Sequence, residues 1–160
     1  TPGEVYGFEL EMRAEPIDNL TIDGSIGYAK FTSPDLKTPG RITDRLLGIP
    51  DLNASAGIQY VFDAPALAGR ITPRLDWLYT GTTDYSTSRP ELNNKSYSVF
   101  NARLTYENEP NEFTVSLSAT NLFNKFYYIS YFDLSGYGFP QTNAQPAEPR
   151  EWAVTVSKRF

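Results

Sequence analysis

Two carboxylates spaced two residues apart, Glu9 and Glu11, could in principle support acid–base chemistry. On a β-strand, residues i and i+2 lie on the same face about 7 Å apart, and two carboxyl groups at such a separation can share catalysis. The surrounding residues, however, show a strand alternation and no signal of an enclosing pocket. We therefore interpret Glu9 and Glu11 as members of a longer polar strand face and predict no catalytic residue.

The chain contains neither histidine nor cysteine. This removes the commonest general base, the commonest metal ligand, thiol catalysis and disulfides. The net charge of −5 also disfavours a surface for nucleic acid. The sequence thus predicts a protein that is not an enzyme, with no metal site, no cofactor and no nucleic-acid partner.

Seven segments show the apolar–polar alternation of β-strands. The third is the clearest, because apolar residues occupy every even position from Leu52 to Phe62 and polar or small residues occupy most odd ones. The pattern predicts an all-β fold, an antiparallel up-and-down meander of about seven strands. The predicted strands are residues 4–14, 20–31, 52–62, 70–80, 97–107, 113–123 and 150–160.

The connections between these strands alternate between short and long. Residues 15–19, 63–69 and 108–112 form short turns, whereas 32–51, 81–96 and 124–149 form long polar loops. Short turns on one side, long loops on the other and strands of about ten residues are typical of outer-membrane β-barrels. No run of about 18 apolar residues predicts a transmembrane helix. We therefore expect part of a larger transmembrane β-barrel, with the short turns and the C-terminus on the periplasmic side.

Charged residues in mid-strand predict that the polar face lines an aqueous lumen. We expect Leu10, Ile58, Leu75, Leu104 and Val154 to contact lipid. The luminal charges could guide a substrate or dock a plug, but a solvated wall with mutually compensating charges is the favoured interpretation. The predicted luminal residues are Glu9, Glu11, Arg13, Arg74, Asp76 and Arg103, together with Gln59 and Thr155.

An aromatic cluster lies in or beside the longest loop. Its functional interpretation is a stacking surface for an extracellular ligand. Its structural interpretation is an outer-leaflet aromatic girdle with a small loop core, which a barrel rim needs whatever its cargo, and we favour this second interpretation. The ligand-contact candidates are Tyr127, Tyr128, Tyr131, Phe132, Tyr137 and Phe139.

Four motifs in order resemble those of TonB-dependent outer-membrane receptors. Residues 121–128, NLFNKFYY, resemble the family's NLF-(D/N)-K-x-Y segment. Residues 148–152, EPREW, followed by alternating valines and the terminal Phe160, resemble its closing strand, although Lys158 replaces a frequent aromatic residue. Residues 7–11, GFELE, and 49–53, IPDLN, resemble two upstream strand motifs.

This resemblance implies that residues 1–160 are the C-terminal portion of a receptor barrel of about 22 strands, without the plug domain. The N-terminal sequence is not a signal peptide, so we expect a processed product or a piece of a longer chain. The implied location is the bacterial outer membrane. The implied function is TonB-energised uptake of a scarce nutrient: an iron–siderophore complex above all, cobalamin or carbohydrate.

The resemblance also implies the partners. They are outer-membrane lipid, the remaining barrel and plug, TonB through the missing N-terminal part, and the barrel-assembly machinery. The assembly machinery would read Phe160, because a C-terminal aromatic residue that ends an alternating strand resembles its signal.

Two other classes remain open at this point. One is a small passive or structural outer-membrane barrel, although about seven strands would leave the first and last parallel and bacterial single-chain barrels have even strand counts. The other is a soluble binding module of lipocalin type. For the chain alone, we expect an open curved sheet.

Overall fold

The computed structural model describes residues 4–32, 48–85, 90–134 and 138–159. No helix in these ranges is long and apolar enough to cross a membrane. Two 3-10 helices, Pro65–Leu67 and Pro90–Leu92, lie in connections. The strands are β1 (Glu4–Ala14), β2 (Leu20–Thr32), β3 (Leu52–Tyr60), β4 (Phe62–Ala64), β5 (Gly69–Thr80), β6 (Tyr97–Asn108), β7 (Phe113–Thr120), β8 (Tyr128–Asp133), β9 (Thr142–Pro146) and β10 (Glu151–Lys158).

The main sheet is an antiparallel meander in the order β1-β2-β3-β5-β6-β7-β10, with β4 pairing with β5 beyond the end of β3. Strands β1 and β10 form its two edges and run in the same direction, and the sheet is not closed across the described residues. This confirms the predicted all-β meander of about seven strands and its open form.

The ladder between β3 and β5 is interrupted opposite Pro73. Pairing stops at Gln59 and Arg74 and resumes at Phe62 and Ile71 without a change of register. Proline lacks the N–H that a ladder needs, and in sheets it is largely confined to edges and bulges. Here Pro73 lies in an interior strand, opposite Leu104 of β6, and the interruption separates β4 from β3.

The structure differs from the predicted elements most clearly at three places. Strand β7 ends at Thr120 instead of residue 123, because Asn121 adopts a left-handed backbone conformation with φ 47°. The short connection 63–69 contains part of β4 and a 3-10 helix. The long loop 124–149 contains a separate two-stranded ribbon, β8 paired with β9. The polar sequence TNAQP of β9 lacks the apolar alternation that would have predicted a strand.

Cross-strand pairing places the apolar residues of neighbouring strands on one common face. Leu117 of β7 lies opposite Leu104 of β6 and Val154 of β10, and Ile58 lies opposite Leu75. These side chains are 41–68% exposed, and no large side chain in the described residues is fully buried. The sheet therefore has no internal core against which this face could pack, and the face is available to lipid.

Candidate functional site

The opposite face of the sheet carries a network of charges centred on Arg74. Its Nη1 and Nη2 atoms donate to the two carboxylate oxygens of Asp23 at 2.9 and 3.0 Å. Its Nη2 also lies 2.6 Å from Oδ1 of Asp76, and its Nε donates to Oδ2 at 3.2 Å. All four carboxylate oxygens thus contact one guanidinium group, a geometry that strengthens charged hydrogen bonds.

The network spans three strands because Gly57 leaves room for it. Asp23 lies on β2, Arg74 and Asp76 lie on β5, and Gly57 of β3 pairs with both aspartates in the register. A Cβ atom at Gly57 would collide with Nη2 of Arg74 and would lie 2.7 Å from Asp23 and 2.9 Å from Asp76. The absence of a side chain at Gly57 is what allows Arg74 to reach across β3.

Gly57→Val should therefore displace the guanidinium group and cost about 1–3 kcal/mol of stability, the range for losing hydrogen bonds to a charged group. Gly27→Val is the matched control. Gly27 lies on the same face, but its Cβ would meet nothing closer than the Glu9 side chain at 3.8 Å. Chemical unfolding of the detergent-solubilised receptor would measure both variants. Equal losses would show that the network at Gly57 contributes nothing specific.

The other predicted luminal charges are arranged differently. Arg13 lies 4.0 Å from Glu15, and both side chains are about 70% exposed. Glu9 and Glu11 are exposed on the edge strand β1. Arg103 lies opposite Arg74 on β6 and is exposed.

Asp23 was not among the predicted luminal site residues, although it supplies half of the network's negative charge. The alternation of β2 already placed it on the polar face, but its contact with Arg74 is 51 positions away in the chain. The sequence feature that could have indicated this contact is Gly57, a glycine on the polar face of an otherwise regular strand.

Part of the predicted aromatic cluster forms a small core beneath the loops. Tyr131 contacts Tyr85 edge-on with ring centroids 5.2 Å apart and Tyr128 at 4.8 Å. Tyr127 stacks on Tyr97 at 4.2 Å. The Tyr85 hydroxyl donates to the carbonyl of Ile129 at 2.6 Å, which ties the loop after β5 to the ribbon.

The surroundings of three of these tyrosines favour the protonated phenol. Burial raises the pKa of Tyr85, Tyr127 and Tyr131, and neighbouring tyrosines add to the effect. A neutral phenol can keep donating a hydrogen bond, as Tyr85 does. These contacts favour the structural role for this part of the cluster.

Phe132 and Phe139 differ from the tyrosines because each is 59% exposed. They are the predicted ligand-contact residues most open to solvent in the described ranges. Tyr137 lies outside the described residues.

The base of the longest loop is held by Asn121, which is only 5% exposed. Its Nδ2 donates to the carbonyls of Lys125 at 2.9 Å and Glu148 at 3.1 Å, and its Oδ1 accepts from the Lys125 amide at 2.7 Å. Its own amide donates to Oδ1 of Asn101 on β6 at 2.9 Å. One side chain thus links the beginning of the loop to its end.

A second contact reinforces this closure. Asn124, with φ 53°, accepts a hydrogen bond from the Arg150 amide at 3.0 Å, and Nη1 of Arg150 donates to the carbonyl of Leu122 at 3.3 Å. The NLFNK and PR motifs of the sequence therefore meet in space and close the loop. Both motifs are recognisable in the sequence, but their contact was not predicted.

The described residues contain no group of acidic side chains that could hold a metal ion. Buried side-chain nitrogen and oxygen atoms in the same ranges all have hydrogen-bond partners. The site consists of a charged wall, an aromatic loop core and a clamped loop base.

Comparison with solved structures shows the same architecture. The chain is similar to the ferric yersiniabactin uptake receptor FyuA from Yersinia pestis, with a TM-score of 0.80 and 17% identity over 96% of this chain and 23% of that one. It is similar to the ferric-catecholate import receptor Fiu from E. coli K12, with a TM-score of 0.73 and 23% identity over 99% and 21%. It is also similar to the copper transporter OprC, with a TM-score of 0.68 and 20% identity over 99% of this chain and 24% of that one.

The chain spans less than a quarter of each of these receptors, and at such identities the likeness shows the fold. A family model, TonB dependent receptor-like, beta-barrel, matches residues 2–122. The predicted family and the predicted outer-membrane location are thereby confirmed. Because the match covers most of its length, this chain belongs to the TonB-dependent receptor-like β-barrel family and is a segment of an outer-membrane receptor barrel.

Proposed function

We propose that the chain forms the C-terminal portion of the barrel in a receptor that imports a scarce nutrient with energy supplied through TonB. The observation that carries this proposal is the two-faced open sheet, with an apolar face at Leu104, Leu117 and Val154 and a charged face at Arg74. Both edges of such a sheet need further strands, because hydrocarbon cannot satisfy unpaired backbone groups.

An iron–siderophore complex is the proposed cargo. Support comes from two receptors of similar structure, one for uptake of ferric yersiniabactin and one for import of ferric catecholates. The exposed rings of Phe132 and Phe139 are the proposed contacts for an aromatic or apolar part of this cargo, with Tyr127, Tyr128, Tyr131 and Tyr137 as further candidates.

Placement at the C-terminus of the barrel rests on the resemblance of residues 148–160 to the closing strand of the family. Phe160 lies outside the described residues and remains our proposed signal for the barrel-assembly machinery. Outer-membrane lipid, the remaining strands and a plug are the other proposed partners. The contact with TonB would be made by a part of the receptor beyond this segment.

Uptake in cells expressing the full receptor tests the proposal. Iron-starved cells would be given radiolabelled iron as a catecholate chelate and, separately, as a hydroxamate chelate. We expect accumulation of at least one chelate that is abolished by deleting TonB or by collapsing the proton gradient. Accumulation that persists without TonB would contradict the proposal and favour a passive barrel.

A further inference from the structure

A groove crosses the apolar face of the sheet, and two neighbouring alanines form its floor. The strand register places one residue from each of five neighbouring strands in a single row across this face. In order from β3 to β10, the row consists of Ile58, Leu75, Ala102, Ala119 and Trp152. Ala102 and Ala119 lie side by side and carry the shortest side chains of the row. The face is therefore depressed at these two positions, with large apolar side chains on either side.

Larger side chains enclose this groove. Leu104 and Leu117 form the next pair toward the short turns, and Leu122 lines the groove beyond the end of β7. Ala119 is only 2% exposed, whereas Trp152, its partner on β10, is 60% exposed. The groove has a volume of about 440 Å³ and an almost wholly apolar surface. A hydrocarbon chain suits such a surface, because it gains dispersion contacts there and buries no polar group.

A cation lies at the end of the groove nearest the long loops. Nη1 of Arg150 donates to the carbonyl of Leu122 at 3.3 Å, so the guanidinium group is held beside a residue that lines the groove. Arg150 is exposed and forms no ion pair with any described residue. It precedes Trp152 by two positions, a spacing that places two residues on the same face of an extended segment, whereas Glu151 belongs to the opposite face. The remaining guanidinium donors can therefore bind an anion at the membrane surface.

We propose that the groove binds one phosphate-bearing lipid of the outer membrane, with an acyl chain over Ala102 and Ala119 and the phosphate at Arg150. Arginine binds phosphate oxygens with paired hydrogen bonds, and basic residues beside a membrane attract anionic lipids. A tryptophan such as Trp152 is favoured at the boundary between hydrocarbon and headgroups, which is the depth of a lipid phosphate. This inference rests on the lipid-facing side of the barrel segment and goes beyond the proposed uptake function, because it involves neither cargo nor TonB.

Lipid binding to the full receptor in a neutral detergent tests this proposal. Native mass spectrometry would count the lipids bound at rising concentrations of phosphatidylglycerol, or of zwitterionic phosphatidylcholine with the same acyl chains. We expect one phosphatidylglycerol to bind saturably and phosphatidylcholine to bind more weakly. Arg150→Gln should weaken phosphatidylglycerol binding about tenfold, since it removes charged hydrogen bonds, and Arg150→Lys, which keeps the charge, should lose less. Lys95→Gln is the control, because it removes an exposed cation from another long loop, and it should bind as the parent does.

A variant of the groove floor tests the position of the acyl chain. Ala102→Leu keeps the face apolar but fills the depression, so it should weaken the binding of both lipids. Unchanged binding in Ala102→Leu would contradict the placement of the chain. Equal affinity for the two lipids, or equal losses in Arg150→Gln and Arg150→Lys, would contradict recognition of the phosphate by charge. A receptor that forms dimers and retains no lipid would make a second copy the occupant of the groove and would also overturn the proposal.

Discussion

Leu117→Arg should destabilise the receptor by about 2–4 kcal/mol, the cost of a charge on the lipid face of a barrel near the bilayer midplane. Leu117 is 43% exposed and lies between Leu104 and Val154 on the apolar face. Hydrocarbon cannot solvate the guanidinium group, so the free energy of the folded state in the membrane rises and its stability falls. Urea unfolding of receptor in lipid bilayers, followed by tryptophan fluorescence, would measure the loss.

Ser116→Arg is the matched control for this prediction. Ser116 neighbours Leu117 but points to the other face, where it lies opposite Thr105 and Thr155. An arginine there meets water or polar surface and should cost much less. Equal costs would contradict the assignment of faces, because a shift of one residue in a strand exchanges them.

Asn121→Ala should cost about 2–4 kcal/mol and open the base of the longest loop. The change removes three side-chain hydrogen bonds, each worth roughly 1 kcal/mol, and leaves part-buried backbone groups without these partners. Alanine is also strained at φ 47°. Protease treatment of intact cells should cleave the variant within residues 125–148 faster than the parent receptor.

Two further variants separate the contributions at this position. Asn121→Gly tolerates the backbone conformation but loses the hydrogen bonds, so it should still be cleaved faster. Asn124→Ala removes the hydrogen bond that this side chain accepts from the Arg150 amide, and should have a smaller effect. If Asn121→Gly is as resistant as the parent, the side chain does not hold the loop.

The strands were predictable because one physical constraint repeats along the chain. Each strand separates a lipid environment from an aqueous one, which imposes a period of two, and β1 occupies residues 4–14 as predicted. The ribbon β8–β9 lies outside that constraint. Its polar strand Thr142–Pro146 faces no fixed pair of environments, so its sequence carries no alternation.

The candidate site was only partly predictable for a different reason. Alternation places Arg74 and Asp76 on the luminal face, but it does not tell which charges meet. The pairing of Arg74 with Asp23 depends on the register of three strands and on the gap at Gly57. The same holds for Asn121, whose partner Glu148 lies 27 positions away.

An accessibility scan of β7 tests the central claim, that this sheet is a membrane wall with one lipid face and one aqueous face. Single cysteines at residues 113–120, where the chain has no native cysteine, would carry nitroxide labels in the full receptor in bilayers. Labels at Phe113, Val115, Leu117 and Ala119 should relax faster with oxygen, which concentrates in hydrocarbon. Labels at the positions between them should respond to a water-soluble nickel complex. A uniform response along the strand, or alternation in the opposite phase, would contradict the account.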